Sequence, residues 1–271
     1  NYHGYTDWRL PNVNELRSRL NAGQTDQGVW LNTEGFQDVH SSLFYWSSTT
    51  NGTGYYFYTL NVGLWGGTYR ASASDGAYIW PVRSIQSGIF GNSVISLPKT
   101  GQTTCYDSSG NVSTCTGTGQ DGNIQAGLPW PSPRFTVNGD GTVTDNLTGL
   151  IWTRDANAPG PASCFPGTSK TWQDALDYVT CLNANNYHGY TDWRLPNVNE
   201  LRSLVNGGQT YTYTWLETQG FNNVQSDYYW SSTSDPRYTD VAFAVDMWFG
   251  GMFDEHKSFN FIYVWPVRSG Q

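Results

Sequence analysis

Hydrophobic residues along the chain have helical spacing at two places in its second half. At the later place, Asn197 is a suitable N-cap residue, and Glu200 stands three positions on, where it completes a capping box. At the earlier place, Thr171 is the N-cap residue and Asp174 occupies the corresponding position. The apolar stripes are Val198, Leu201, Leu204 and Val205 for the later helix, and Trp172, Leu176 (or Ala175), Val179 and Leu182 for the earlier one. The spacing predicts one helix from residue 198 and another over residues 171–182.

The remaining hydrophobic residues mostly alternate with polar ones, which is typical of strands. Residues 192–195 read as a short buried strand or an extended arm, in which Arg194 is a packed structural cation. The predicted strands are residues 134–137, 142–144, 150–152, 228–233, 240–246, 247–249 and 261–268, the first three forming a β-meander. After the helix at residue 198 the pattern predicts strands only. The order indicates an α+β fold with helices segregated from the sheet.

The chain is also a tandem repeat. Residues 186–203 are identical to residues 1–18, and residues 1–84 align with 186–269 almost without gaps. The first copy lacks a counterpart of residues 135–184 and is therefore N-terminally truncated. We predict three segments: the back part of a first repeat at 1–84, a Gly/Ser/Thr-rich connector with a disulfide-closed hairpin at 85–133, and a complete second repeat at 134–271.

A truncated first copy would leave an apolar helix face and a sheet edge uncovered. Asn1 is not a start methionine and falls inside a repeat, so we expect the native N-terminus, with any export signal, to precede it. A longer native chain would supply the missing front half. Alternatively, a neighbouring chain supplies it, and head-to-tail supply of this kind would give a filament.

Composition narrows the possible functions. Hydrophobic residues make up 38% of the chain and aromatic residues 16%, which is enough for real cores, whereas charged residues make up only 13%. The net charge of −8 and the absence of a Lys/Arg cluster argue against a nucleic-acid partner. No apolar run is long enough to cross a bilayer, so membrane insertion is not expected.

The four cysteines fall into two local pairs, Cys105 with Cys115 and Cys164 with Cys181, and neither pair has Cys-x-x-Cys metal spacing. We predict two disulfides and hence an oxidising, extracellular compartment. Four reduced, buried thiols are the alternative. The surface, poor in charge and rich in amides, hydroxyls and rings, is also typical of secreted proteins.

Five segments of the second copy together resemble one protein family, the Lcl C-terminal domain family of bacterial surface proteins. They are residues 142–152, 171–176, 192–201, 229–233 and 264–269. The Arg-Leu-Pro helix start and the closing Val-Arg strand are more weakly similar to the formylglycine-generating-enzyme branch of the C-type lectin fold. The resemblance implies tandem C-type-lectin-like domains with two helices on a twisted, mainly antiparallel sheet.

The resemblance implies no catalytic machinery. The enzyme branch needs a reactive cysteine pair late in the domain, and this chain has no cysteine after Cys181. The Glu-Pro-Asn or Gln-Pro-Asp and Trp-Asn-Asp motifs of calcium-dependent lectins are also missing. We interpret His3 and His188, which are equivalent in the two copies, as structural, and Glu15 and Glu200 as helix caps. No enzyme activity and no cofactor are therefore expected.

One turn is a weak candidate for calcium. Asn138, Asp140 and Asp145 place oxygen atoms at nearly alternate positions, loosely like the start of a calcium loop. The late bidentate Glu of such loops is missing, and a glycine-rich hairpin turn explains every residue equally well.

The two copies differ mainly in their late strands and loops, which are rich in aromatic residues. Because side chains alternate along a strand, only about half of these rings can enter the core. We predict ligand contacts at Tyr55, Tyr56, Tyr58, Trp65 and Tyr69 in the first copy, and at Arg237, Tyr238, Phe243, Trp248, Phe249 and Phe253 in the second. Relaxed surface drift is the alternative explanation of the divergence.

These observations favour an extracellular, non-enzymatic binding or adhesion repeat of a bacterial surface or secreted protein. Its partner would be a glycan or protein ligand at the cell surface. The alternative is a structural repeat that binds neighbouring copies of itself and assembles into an extracellular fibre or surface layer.

Overall fold

The computed structural model describes residues 4–41, 43–51, 57–61, 67–72, 75–83 and 97–270. The chain divides into two compact units. The first unit comprises Asn1–Pro129 with Gly207–Thr210, and the second comprises Trp130–Asn206 with Tyr211–Gln271. Residues 97–129, which belong to the predicted connector, are therefore part of the first unit. Within the described ranges, no helix combines the length and the apolar composition needed to cross a membrane.

In the first unit, the described part of residues 4–83 contains two short helices and an antiparallel sheet of the order β1-β2-β3. These elements are α1 (Val13–Arg17), α2 (Gln27–Thr33), β1 (Phe44–Thr50), β2 (Phe57–Asn61) and β3 (Thr68–Ala71). Residues 97–129 add the hairpin of β4 (Cys105–Tyr106) and β5 (Val112–Ser113), and helix α3 (Asp121–Ile124).

The second unit repeats this plan and adds the front half. The front-half elements are β6 (Phe135–Val137), β7 (Thr142–Asp145), β8 (Leu150–Thr153) and α4 (Trp172–Ala184). The repeated elements are α5 (Val198–Ser203), α6 (Thr212–Thr218), β9 (Tyr228–Ser234), β10 (Val241–Asp246) and β11 (Met252–His256), and β12 (Val267–Ser269) follows them where the first copy has a single bridge at Val82. The strands form two antiparallel sheets, β12-β8-β7-β6 and β11-β10-β9, so the chain is α+β as predicted.

The capping boxes form in both copies as predicted. The Asn197 side chain accepts from the Glu200 backbone N–H at 3.0 Å, and the Glu200 carboxylate accepts from the Asn197 N–H at 2.7 Å. In the first copy, Asn12 and Glu15 make the same two bonds at 2.9 and 2.8 Å. Identical local sequence therefore gives an identical helix start. Thr171 caps α4 by accepting from the Asp174 N–H at 3.2 Å, which confirms the second predicted helix.

The Trp-Arg-Leu arm lies in the core of the second unit, as expected. Trp193 and Leu195 are each 2% exposed and pack with buried residues of α4, β9 and β10. Arg194 pairs with Val267 of β12 through the backbone, and its guanidinium holds Glu200 with two bonds of 2.7 and 2.6 Å. Its side chain is thus a structural cation that fixes the helix cap to the arm.

The elements after α5 differ from the prediction. Residues 247–249, predicted as a strand, form the turn between β10 and β11, and residues 252–256 form the third strand instead. Helix α6 was not predicted, because its first N–H groups, on Thr212 and Tyr213, donate to Trp248 and Met247 carbonyls far along the chain. Such tertiary partners leave no local capping signal. The predicted strand at 261–268 is regular only over Val267–Ser269, with single bridges before it.

Both predicted disulfides are present. Cys105 is bonded to Cys115 across the β4–β5 hairpin, and Cys164 is bonded to Cys181 of α4. No free cysteine remains among the described residues, so the alternative of reduced thiols does not apply.

Candidate functional site

Six aromatic side chains of the second unit form a continuous series, called here the aromatic run. In order they are Tyr213, Tyr211, Trp248, Phe249, Phe253 and Tyr228, with neighbouring ring centroids 5.8, 6.2, 6.4, 6.2 and 5.1 Å apart. Trp248 is 50% exposed and Tyr211 is 40% exposed, whereas the other four rings are partly buried. The run therefore has two adjacent open rings, Tyr211 and Trp248, with one partly buried ring beyond Tyr211 and three beyond Trp248.

Hydrogen bonds hold the backbone that carries the exposed indole. Trp248 lies in the β10–β11 turn, where its N–H donates to the Asp246 carboxylate at 2.7 Å. Its carbonyl accepts from the Thr212 N–H at the start of α6, at 3.0 Å. The Gly250 N–H closes the turn on the Asp246 carbonyl at 2.9 Å. The Trp248 backbone is thus held through both its N–H and its carbonyl, which reduces the backbone entropy lost when a ligand orders the turn.

A glycine allows the packed rings of the run to meet. A Cβ atom on Gly251 would lie 2.7 Å from the Phe253 ring and 2.9 Å from the Phe249 ring. Both distances are shorter than real Cβ contacts, so a larger residue would push these rings apart. Phe249 and Phe253 belong to the predicted site, whereas Tyr211 and Tyr213 were not predicted, because they precede the predicted late strands in sequence.

The prediction of a ligand contact at Phe243 is wrong. Its side chain is 3% exposed and lies on β10, the central strand of the β11-β10-β9 sheet, which is buried at all six positions. Ala242 and Ala244 of this strand pack in the cluster that contains α4 residues, and α5 also contacts β10. Alternation exposes half of the side chains only where one face of the sheet meets water.

Arg237 and Tyr238 lie apart from the aromatic run. The Arg237 guanidinium donates to Asp235 at 2.9 Å, lies 3.5 Å from Asp254, and stacks 5.2 Å from the Tyr238 ring centroid. Burial raises the pKa of Asp254, and the arginine opposes that shift. Since Asp254 and Phe253 are neighbours on one strand, their side chains leave opposite faces of the sheet. Tyr238 is 55% exposed, but it does not extend the surface around Trp248.

The predicted contacts in the first copy cannot be placed in the same way. Tyr55, Tyr56 and Trp65 lie outside the described residues. Tyr58 and Tyr69 lie on β2 and β3, and only their backbone is described. The ligand-contact prediction for the first copy therefore stays a prediction.

The turn considered as a weak calcium candidate is a hairpin whose oxygen atoms already have partners. Asp145 is 0% exposed and accepts from Arg134 at 2.8 and 3.0 Å. Asp140 accepts from Thr142, and the Asn138 amide donates to the same hydroxyl at 2.8 Å. An arginine beside the most buried carboxylate opposes a cation, so this turn does not fit calcium. Across the described ranges, no group of three or more His, Cys, Asp or Glu side chains is arranged to hold a metal ion.

His188 has a packing role. Its ring lies against Gly141, so close that a Cβ atom there would be 2.6 Å from Nε2, and its centroid is 4.0 Å from the Tyr187 centroid. Burial lowers the pKa of His188. These contacts agree with the structural role predicted for this histidine, while His3 lies outside the described residues.

A cleft of about 740 Å³ lies beside the Cys164–Cys181 disulfide and was not predicted. Phe165, which is 77% exposed, and Asp177 of α4 are among its lining residues. Lys170 is also part of its wall, but this residue is 6% exposed and its ammonium group donates to the Phe165 carbonyl at 2.6 Å. Desolvation lowers the pKa of Lys170. The cleft therefore combines an open ring with carboxylates and a buried cation.

Comparison with known families agrees with the internal repeat. The family model described as the Lcl C-terminal domain matches residues 1–83 and residues 141–268, that is, one region in each copy. A comparison with curated proteins gave no match. The family match leaves out residues 84–140, which include the whole predicted connector.

Proposed function

The chain belongs to the Lcl C-terminal domain family, and we propose that it is an extracellular, non-enzymatic binding or adhesion repeat of a bacterial surface or secreted protein. The observation that carries this proposal is the aromatic run, in which Trp248 and Tyr211 are open to solvent and hydrogen bonds hold the turn that contains Trp248. The two disulfides fit an oxidising compartment outside the cytosol. Helices packed on antiparallel sheets, with the buried arm between them, support a C-type-lectin-like fold for each complete unit.

The ligand that this surface suits is a neutral glycan or a hydrogen-bonding protein segment. Two adjacent rings with centroids 6.2 Å apart offer flat apolar faces, and the phenol of Tyr211 and the indole N–H of Trp248 offer polar tips. Rings of this kind lose little conformational entropy on binding. The net charge of −8 argues against sulfated glycans, which carry negative charge themselves.

A glycan and protein array, probed with the labelled chain and with two single variants, tests this proposal. Trp248→Ala should weaken binding to the selected ligand by about 30-fold, which corresponds to about 2 kcal/mol for a central aromatic anchor. Phe261→Ala is the matched control, because Phe261 is 48% exposed and its ring contact is with Phe259, outside the run. Its binding should equal that of the wild type. Equal loss in both variants, or none in Trp248→Ala, would refute the assignment.

The single variant Trp248→Ala is a better probe than a double variant in which Phe249 is also replaced. Phe249 is partly buried and packs against Phe253, so its removal would also destabilise the second unit. Phe165→Ala tests the cleft beside the disulfide in the same array. If only this variant loses binding, the ligand enters the cleft and the aromatic run is not the site.

The second candidate function is a structural repeat, and it is supported by a groove in the first unit. A groove of about 240 Å³ in this unit is lined by Leu10, Trp46 and Gln120, among others. Trp230, the counterpart of Trp46, is 0% exposed in the second unit, where its indole N–H donates to the Lys170 carbonyl at 2.9 Å. Trp46 is only partly buried. A front half supplied by another copy would fill this groove and propagate a fibre.

Light scattering and electron microscopy of the purified chain distinguish the two candidates. A monodisperse monomer or small oligomer is expected for a binding module. Open-ended polymers that grow with concentration would support the fibre instead.

A further inference from the structure

Residues that are identical in the two copies differ in burial at one surface. Asn12, Ser48 and Thr49 of the first copy are 2%, 6% and 0% exposed. Their counterparts in the second copy are Asn197 and Ser232, which are exposed, and Thr233, which is partly exposed. The surface of Asn197, Asn199, Ser232, Thr233 and Ser234 is called here the docking patch. Since the side chains are the same, something outside the repeat must cover the first copy.

That cover is residues 97–129, called here the clamp segment, which packs on β1 and α1 of the first unit. Its Asp121 is 1% exposed and accepts from the hydroxyls of Thr49 and Thr100 at 2.7 and 2.6 Å. Its Gln102 accepts from the Thr50 N–H at 3.0 Å and donates to the Thr50 carbonyl at 2.7 Å. The pairing of Gln102 with Thr50 extends the edge of the strand through a side-chain amide.

The clamp segment also satisfies the start of α1. The Asn12 side-chain amide donates to the Ala126 carbonyl at 3.1 Å, and the Asn14 amide donates to the Pro98 carbonyl at 3.1 Å. The two ends of the clamp segment thus accept hydrogen bonds from the N-cap residue Asn12 and from Asn14. The segment is itself stapled by the Cys105–Cys115 disulfide.

The second copy keeps the groups that the clamp segment binds. Thr233 accepts from the Val198 N–H at 3.2 Å, as Thr49 accepts from the Val13 N–H at 3.0 Å, so its hydroxyl has the same acceptor bond and the same proton to donate. Asn199 stands where Asn14 stands, and it is exposed. Ser234 stands where Thr50 stands, and it also has a backbone N–H, a carbonyl and a hydroxyl group.

The charges around the patch are also repeated. In the first unit, Arg9 and Glu15 lie near enough to Asp121 to influence its ionisation in opposite directions. Arg194 and Glu200 occupy the corresponding positions in the second copy and form the same bidentate pair. A second acidic clamp segment would therefore meet the same electrostatic surroundings.

We propose that the docking patch of the second copy binds a second clamp segment, that is, a segment with the sequence of residues 97–129 supplied by another repeat. In this arrangement each repeat is completed by the segment that succeeds it, so that repeats join in one direction. The clamp segment of this chain occupies its own first copy, so the patch stays available to an added one. This inference rests on the repeat itself and does not depend on the ligand of the aromatic run.

The test is binding of a synthetic, oxidised and fluorescently labelled peptide of residues 97–129 to the whole chain. Fluorescence anisotropy should show saturable binding of one peptide per chain, with a Kd below about 100 µM. Peptides with Asp121→Ala or Gln102→Ala should bind about tenfold more weakly or worse, because each loses buried hydrogen bonds. Ser108→Ala, at an exposed turn position, is the matched control peptide and should bind like the original.

A variant of the chain locates the peptide. Asn199→Asp removes the amide donor but suits the first turn of α5, so the fold is retained while binding falls about tenfold. Asn14→Asp, the same change in the occupied first copy, should leave the affinity of the second-copy patch unchanged. No binding by the original peptide, or equal binding by all peptides, would overturn the proposal, as would normal binding by Asn199→Asp. Trp248→Ala should not alter peptide binding, which keeps this result separate from the ligand assay.

Discussion

Substitution of Gly141 by alanine tests the packing role of His188 directly. Gly141 has φ +88°, and a Cβ atom there would lie 2.6 and 2.7 Å from the two ring nitrogens of His188. The same turn contains Gly139, which has φ +82°, but a Cβ atom at that position would have no neighbouring atom within 4 Å. Both glycines therefore adopt a left-handed backbone conformation, but only Gly141 lies against the His188 ring.

The expected cost separates into two parts. Alanine in the left-handed region costs about 1–2 kcal/mol at either position. Displacement of a packed ring adds about 1–3 kcal/mol, as for other overpacked sites, and applies to Gly141→Ala alone. We therefore expect a loss of unfolding free energy of about 1–2 kcal/mol for Gly139→Ala and about 2–5 kcal/mol for Gly141→Ala.

The assay must read the second unit separately, because the chain has two units and need not unfold in one step. Hydrogen exchange followed by mass spectrometry across a urea series does this, with β7 and α4 as reporters. His188→Ala in the Gly141→Ala background should restore the part of the loss that comes from the ring. Equal losses for the two glycine variants, or no restoration by His188→Ala, would show that the ring does not pack on Gly141.

Two further predictions concern other parts of the chain. Replacing Cys164 and Cys181 by serine should lower the stability of the second unit by about 3 kcal/mol, because the bond closes a loop with a sequence separation of 17; urea unfolding of the oxidised chain and the variant measures this. Burial raises the pKa of Asp121, so its contribution to stability is present below its unfolded pKa and is lost as pH rises through the folded value. The stability of the wild type relative to Asp121→Asn should therefore be greater near about pH 3.5 than at about pH 7, and a difference that does not change with pH would contradict the burial of this carboxyl.

Local signals in the sequence were sufficient for the capped elements of the second unit. Two helix starts are each marked by residues within four positions, Asn197 with Glu200 and Thr171 with Asp174. The expected capping hydrogen bonds occur at both. The disulfide pairs were equally predictable, because each closes a short loop and no other thiol competes. In these cases the partners that decide the structure are neighbours in the chain.

Elements with distant partners were not predictable in the same way. Helix α6 begins where the Thr212 N–H finds the Trp248 carbonyl, and no N-cap side chain marks the position. Phe243 was predicted to face outward because side chains alternate along a strand, yet it is buried, because it lies on the central strand of its sheet, which is buried at all six positions. Of the candidate site, Trp248 was predicted, whereas Tyr211 was missed because ring contacts across the turn cannot be read from spacing.

The two copies show that residues with identical local sequence can differ in burial. Thr49 and Thr233 each come after the same Tyr-Trp-Ser-Ser sequence and accept from equivalent valine N–H groups, yet Thr49 is 0% exposed and Thr233 is partly exposed. The difference comes from Asp121, a residue outside either copy that accepts a hydrogen bond from the Thr49 hydroxyl. A repeat with this property has one face whose burial depends on whether a clamp segment, from the same chain or from another repeat, lies on it. The polar side chains of that face fit both states, because water satisfies them when the clamp segment does not.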